Sequence, residues 1–280
     1  MDATDDVVVE SLESLLGESG GGDERPISFE CKDLSVDFST ESGPRRILEN
    51  LDFQIREGEF VSILGTSGAG KTTLLRALGG LLKATPGSVI NFQGRQIDAP
   101  PEQVVMVFQD YASSLLPWRR VAKNIALGLE RKLPAEERNE RVAQALELVG
   151  LTANAQDYPW QLSGGMQQRV QIARALAMRP RVLLMDEPFG SLDAMTKSSL
   201  QDELHSVHDK TGTTVIFITH DIEEAVYLSD RILILTGRPG GIGYDFKVDL
   251  PRPRNQVTTK EQPDYLKLRH EVYEAFGRHD

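Results

Sequence analysis

Nine residues of this 280-residue chain, Gly65-Thr66-Ser67-Gly68-Ala69-Gly70-Lys71-Thr72-Thr73, constrain its fold more than any other stretch. They follow a short β-rich run, Phe60-Val61-Ser62-Ile63-Leu64, and open a helical pattern from Thr72 to about Leu82. The spacing is that of a phosphate-binding loop set between a strand and a helix. Its glycines let successive backbone N–H groups turn inward around a phosphate chain, and the helix start adds its positive end. Lys71 is placed to pair with β- and γ-phosphate oxygens, and Thr72 to hold Mg²⁺ through its hydroxyl. A glycine-rich turn alone would need neither.

The rest of the chain supports a sheet around that loop. Nearly continuous apolar runs recur at Val104 to Phe108, Val182 to Met185, Thr214 to Thr219 and Ile232 to Leu235, several separated by helical patterns. Such strands belong to a parallel sheet covered on both faces. Upstream, residues 27–60 alternate in two extended runs, Ile27 to Phe38 and Ile47 to Ile55, split by a turn-rich stretch from Ser39 to Pro44. Residues 121–179 are helical in pattern, with Pro134 placed to start one helix and Gly150 to end it. Beyond Thr236 come a glycine- and proline-rich stretch, a Pro251-Arg252-Pro253 elbow and a final amphipathic helix near Asp264 to Phe276.

Composition narrows the partners. The net charge is −11, but eight acids lie within the first 25 residues against Arg25 alone, so the remainder is close to neutral. A near-neutral body argues against a nucleic-acid partner, whose binding needs a basic face. Residues 1–25 read as a disordered acidic lead-in, with a short Leu12, Leu15, Leu16 cluster leaving a partner-binding helix as the alternative. A single cysteine, Cys31, excludes an internal disulfide framework and a multi-cysteine zinc site. No apolar run reaches the roughly 18 to 20 residues that span a bilayer. A soluble, cytoplasmic chain is expected.

Two further motifs carry chemistry. Arg181-Val182-Leu183-Leu184-Met185-Asp186-Glu187-Pro188 is a buried strand ending in two carboxylates. At the carboxyl edge of a parallel strand, Asp186 belongs near the Mg²⁺ of a nucleoside triphosphatase. Glu187, one residue on, points elsewhere and is placed to accept a proton from an attacking water. Leu162-Ser163-Gly164-Gly165-Met166-Gln167-Gln168-Arg169 precedes a second helix and again offers bare N–H groups to an anion.

Taken together, residues 27–236 resemble an ATP-binding subunit of an ATP-binding-cassette (ABC) transporter. Gly65 to Thr73 is similar to that family's Walker A motif and Val182 to Glu187 to its Walker B motif. Ser163, Gly164, Gly165 and Met166 fall in its signature motif, Met166 standing where glutamine is more frequent. The resemblance implies roles for four more residues. Gln109 falls at the Q-loop glutamine that reaches Mg²⁺ and the attacking water, and Asp193, in Ser191-Leu192-Asp193, at the D-loop. His220 falls at the switch histidine that contacts the γ-phosphate, and Phe38 where an aromatic ring stacks on adenine.

Softer motifs resemble the importers of nitrate, sulfonates and taurine. These are Leu115-Leu116-Pro117-Trp118-Arg119, Glu223 to Arg231, Gly237 to Gly240 and Asp249 to Arg254. Trp118 and Trp160 read as packing or interface residues.

What the resemblance implies is an α/β P-loop NTPase with a RecA-like parallel sheet, an antiparallel β-subdomain and a helical subdomain over about residues 110–170. The expected divisions are a lead-in over 1–25, an ATP-binding domain over 26–236 and a short extension over 237–280 packed on the same domain. The implied cofactors are ATP and Mg²⁺. The implied partners are a second copy packed head to tail, transmembrane permease subunits and, indirectly, a solute-binding protein. The implied place is the cytoplasmic face of the inner membrane, as a peripheral subunit. A non-transport cassette ATPase acting on nucleic acid or ribosomes and a non-hydrolysing regulatory module are the alternatives. A long coiled-coil insertion or a second cassette would mark the first, and neither is present; intact Lys71, Glu187 and His220 speak against the second.

Overall fold

The computed structural model describes residues 25–41, 43–190 and 192–277. The lead-in expected over residues 1–25 therefore lies, Arg25 apart, outside the described residues, as does Ser191. Ten strands are described, in two sheets: β1 (Ile27–Thr40), β2 (Gly43–Arg56), β3 (Phe60–Gly65), β4 (Val89–Phe92), β5 (Arg95–Gln96), β6 (Val104–Val107), β7 (Val182–Asp186), β8 (Thr214–Ile218), β9 (Arg231–Thr236) and β10 (Gly241–Lys247). The helices are α1 (Lys71–Leu78), α2 (Tyr111–Ser114), α3 (Val121–Ile125), α4 (Ala135–Leu148), α5 (Gly164–Ala177), α6 (Ala194–Thr211), α7 (Ile222–Leu228) and α8 (Pro263–Gly277).

The larger sheet runs β10-β9-β3-β8-β7-β6, with β9, β3, β8, β7 and β6 mutually parallel and β10 antiparallel on the edge. Its central strands are buried along their whole length because both faces are covered. Alternate residues serve opposite cores, as the two-residue side-chain period requires. Phe60, Leu64, Leu183, Met185, Val215 and Phe217 pack with the helical segment and α7. Val61, Ile63, Leu184, Ile216 and Ile218 pack with α1 and the smaller sheet. That second sheet is antiparallel, in the order β2-β1-β4-β5.

Two sequence expectations need correction, and one strand lies where the sequence shows no strand pattern. The first helix stops at Leu78, not about Leu82, because Gly80 (φ +67°) adopts a left-handed conformation there. Gly80 N–H donates to the Ala77 carbonyl at 3.0 Å and Leu81 N–H to that of Arg76 at 2.9 Å, the paired bonds that close a helix on glycine. The turn-rich break in the N-terminal hairpin is shorter than it reads, since β1 runs to Thr40 and β2 resumes at Gly43. The glycine-rich stretch after Thr236 is a hairpin, and β10 completes the sheet. Pro134 does precede α4, and Gly150 (φ +65°) follows it.

Residues after β10 turn back across the base of the sheet. Buried Arg254 donates to the carbonyls of Tyr227 (2.7 Å) and Ser229 (2.9 Å) at the end of α7, where a cation complements the helix dipole. Arg252 bonds Asp209 and, at 2.5 Å, Asp230, and its Nη1 lies 3.0 Å from His205 Nε2. His205 Nδ1 faces Asp209 at 3.1 Å, and His208 Nδ1 faces the Thr213 carbonyl at 2.9 Å. Each ring thus donates from Nδ1 and turns its other nitrogen toward Arg252. Among the described residues no helix is long and apolar enough to cross a membrane.

This cluster predicts an acid-sensitive fold. Burial, reinforced by Arg252, pushes His205 down to about 4, and burial lowers His208 as well. Both rings stay neutral when folded but take up protons near pH 6.5 once unfolded. Their contribution is therefore complete above about pH 6.5 and is lost as the pH falls from there toward 4. The thermal midpoint should drop across that window. A His205→Gln/His208→Gln variant, which cannot titrate there, should show a shallower drop, and an equal drop in both proteins would refute the assignment.

Candidate active site

The site is built where β3 gives way to α1. The N-terminus of α1 follows Gly70 (φ +92°) without any side-chain cap, so its first N–H groups stay bare. Gly68 (φ +84°) is left-handed too, and no L side chain tolerates these angles easily. Space is equally restrictive. A methyl group on Gly70 would lie 2.5 Å from Leu48 Cδ2, and one on Gly65 would lie 2.9 Å from the Leu235 carbonyl oxygen. The loop is thus wedged between β2 and β9, leaving its donors facing a cleft of about 770 Å³.

Lys71 reaches back along its own loop, with Nζ 2.6 Å from the Gly65 carbonyl and 3.1 Å from that of Thr66. Burial lowers its pKa, while Glu187 and Asp186 oppose the shift by favouring the charged form. Asp186 ends β7, is buried, and has the Thr72 hydroxyl beside it. Burial raises its pKa, while Thr72 opposes the shift. Glu187 follows in a left-handed conformation (φ +47°) with its N–H on the Ile218 carbonyl at 3.0 Å, which swings its side chain away from that of Asp186. Two other elements meet its carboxylate. Gln109 Nε2 donates to Glu187 Oε2 at 3.3 Å, and His220 Nδ1 lies 3.3 Å from the same oxygen.

His220 is held from behind. Thr219 Oγ1 donates to buried Glu224, and Asp221 N–H donates to Thr219 Oγ1 at 3.0 Å. Asp221 caps α7 through the N–H groups of Glu223 and Glu224. Lys197 Nζ neutralises both acids, 2.7 Å from Asp221 and 2.6 Å from Glu224. No sequence motif marks Lys197 as part of the site; it comes from α6, far along the chain. The Asp221-Ile222-Glu223-Glu224 spacing was the available signal, because an acid three residues after a capping side chain marks a helix start.

The cleft gathers Phe38, residues 65–68 and 70–73, Gln109, Glu187 and His220, together with Arg45 and Phe276, which no motif marks. Phe38 is 38% exposed, a ring with a free face. Asp186 lies on an adjoining cleft with Thr72 and Gln109. Ser163, Gly164, Gly165, Met166 and Asp193 are not brought to either cleft in this single chain. Ser163 caps α5 by accepting from Met166 N–H at 3.3 Å, and Asp193 caps α6 by accepting from Thr196 N–H at 3.0 Å.

The donor set fits a nucleoside triphosphate with a hard cation. Backbone N–H groups and Lys71 suit phosphate oxygens. Thr72 and Asp186 supply oxygen ligands, as Mg²⁺ prefers. Among the described residues no three His, Cys, Asp or Glu side chains cluster to hold a metal by themselves. A cation here would need phosphate or water oxygens to complete its shell.

Comparison with known proteins places the chain in a family. Residues 48–190 match the family described as ABC transporter. The chain is 46% identical over 229 residues to the nitrate import ATP-binding protein NrtC of Synechococcus elongatus, covering 80% of this chain but 34% of that protein. It thus spans about a third of the length of the first curated relatives it matches. It is 42% identical over 262 residues to the nitrate import ATP-binding protein NrtD of the same organism, covering 91% of this chain and 94% of that one. A dimeric post-hydrolysis structure of the ATP-binding cassette MJ0796 bound to ADP and Pi superposes with a TM-score of 0.71 at 32% identity, covering 79% of this chain and 98% of that one. On the strength of its phosphate loop, its paired carboxylates and these matches, the chain belongs to the ABC transporter family.

Proposed function

We propose that this chain is the ATP-hydrolysing motor subunit of a bacterial-type ABC importer that takes up a small anion such as nitrate, a sulfonate or taurine. The observation that carries the reading is the convergence of Lys71, Glu187, Gln109 and His220 on one cleft. The nitrate and bicarbonate import relatives support the anion class. The ATP-binding domain spans residues 26–236, with 237–280 packed on it.

In this reading the phosphate loop binds the triphosphate through its N–H groups and Lys71, and Phe38 stacks on adenine. Thr72, Asp186 and Gln109 would hold Mg²⁺, which would supply charge neutralisation for the phosphates. Glu187 accepts a proton from the attacking water, and Gln109 and His220 orient its carboxylate. With Nδ1 turned to Glu187, His220 keeps its other nitrogen for the γ-phosphate. Ser163, Gly164, Gly165, Met166 and Asp193, remote from the cleft of their own chain, serve the nucleotide of a second copy packed head to tail. Such a two-fold pair closes on itself. Permease subunits dock beside Gln109 and Trp118 at the cytoplasmic face of the membrane, and a solute-binding protein acts through them. Trp118 (72% exposed) and Trp160 (69%) present the apolar surface such docking needs.

Glu187→Gln tests the hydrolytic reading. It keeps the shape but cannot take the proton, so turnover should fall about 10²- to 10⁴-fold. Bound ATP should then hold an ATP-dependent dimer on size exclusion, and adding Ser163→Arg should abolish it. Unchanged turnover would remove Glu187 from the reaction. For docking, a Trp118→Ala/Trp160→Ala protein should lose association with the permease and transport while the isolated subunit's ATPase persists. Loss of that ATPase would show that the two rings support the fold.

A further inference from the structure

The phosphate loop is held from outside by a part of the chain that its motif does not include. Gly237 to Gly240 form the tip of the β9–β10 hairpin, with Gly237 left-handed at φ +82°. On one side the tip is stitched to β2. Gly240 N–H donates to the Ile47 carbonyl at 2.8 Å, and Glu49 N–H donates to the Gly240 carbonyl at 3.0 Å. On the other side it lies directly on the loop. A methyl group on Gly240 would sit 2.1 Å from the Ala69 carbonyl oxygen, so only glycine permits this approach. Arg238 Nη2 donates to the Ser67 carbonyl, and the guanidinium packs so closely that a methyl group on Gly68 would lie 3.2 Å from Nη2.

The bond to Ser67 has a directional consequence. Across a planar trans peptide the carbonyl of one residue and the N–H of the next point to opposite sides. Arg238 draws the Ser67 carbonyl outward, which turns the Gly68 N–H inward, toward the cleft. We propose that Arg238 is a positioning residue for nucleotide binding, acting through the Ser67–Gly68 peptide to hold one of the loop's donors in its phosphate-facing orientation. Gly240 serves the same end by seating the hairpin tip between the loop and β2, the strand that carries Ile47 and Arg45 to the cleft. The inference rests on the proposed ATP site and adds to it a residue that touches no phosphate.

The experiment is calorimetric titration with MgATP and MgADP, combined with steady-state ATPase kinetics and thermal melting, on wild type, Arg238→Met, Arg238→Lys and Lys71→Ala. Methionine keeps the length of the side chain and removes the donor; lysine keeps a donor and the charge. Losing one charge-assisted hydrogen bond at an exposed position should weaken both nucleotides about tenfold. KM for ATP should rise in step, with kcat at saturation within about twofold and the melting temperature unchanged. Lysine should restore most of the affinity. Wild-type affinity in Arg238→Met, a joint fall of kcat, affinity and melting temperature, or no rescue by lysine would each overturn the proposal. Lys71→Ala separates the two levels. If it too binds normally, the ATP-site reading fails and this inference with it. If Lys71→Ala loses binding and Arg238→Met does not, only the role of Arg238 fails.

Discussion

Everything in this molecule that concerns chemistry depends on keeping a short run of backbone N–H groups bare and correctly aimed between β3 and α1. Unpaired donors are costly in a protein interior. The structure tolerates them because they open onto a cleft, and because the loop has no freedom to collapse onto them. Gly65 and Gly70 are pressed against Leu235 and Leu48, and α1 is anchored by the buried Leu74, Leu75, Ala77 and Leu78. All of these leucines, and Ala77, belong to the one core that α1 shares with the smaller sheet. That is why the loop belongs at the carboxyl end of a central strand, and not at an edge.

The second constraint is charge. Lys71 stands opposite Asp186 and Glu187, whose charges oppose the lowering of its pKa by burial. Glu187, unlike Asp186 at the end of β7, takes a left-handed backbone conformation, which separates the two neighbouring carboxylates. Behind them, Lys197, Asp221 and Glu224 form a compensated group that fixes the start of α7 and, just before its cap, His220. Removing Lys197 would leave the buried Glu224 carboxylate without its cation, a destabilising change. The orientation of an exposed histidine is thus supported by a partly buried group centred on Glu224.

Much of this was legible in the sequence. The phosphate loop, the Asp186-Glu187 pair and the parallel strands carry local signals of glycine spacing and unbroken apolar runs, and the structure places them together. Pro134 and Gly150 bound α4 as their backbone chemistry requires. What was not legible depends on distance along the chain. β4 and β5 are short and half-exposed, and β10 hides in glycines whose smallness serves close packing. Lys197 and Arg238 are ordinary surface types until the fold carries one beneath His220 and the other onto Ser67. Ser163 and Asp193 read as phosphate-site residues, yet within this single chain they cap helices and lie away from the cleft.

The central claim is that nucleotide sits in the Gly65–Thr73 loop. A rival place exists, a cavity of about 470 Å³ at the opposite end of the sheet, lined by Arg179, Arg181, His208 and Thr213 among others. Backbone amide resonances of ¹⁵N-labelled protein, followed as MgADP is added, decide between them. The account predicts that the largest shifts fall on Gly65 to Thr73, with smaller ones at Phe38 and His220, while residues around Arg181 and Thr213 stay put. Shifts centred on Arg179 to Val182 and Thr211 to Val215, with a silent phosphate loop, would contradict it.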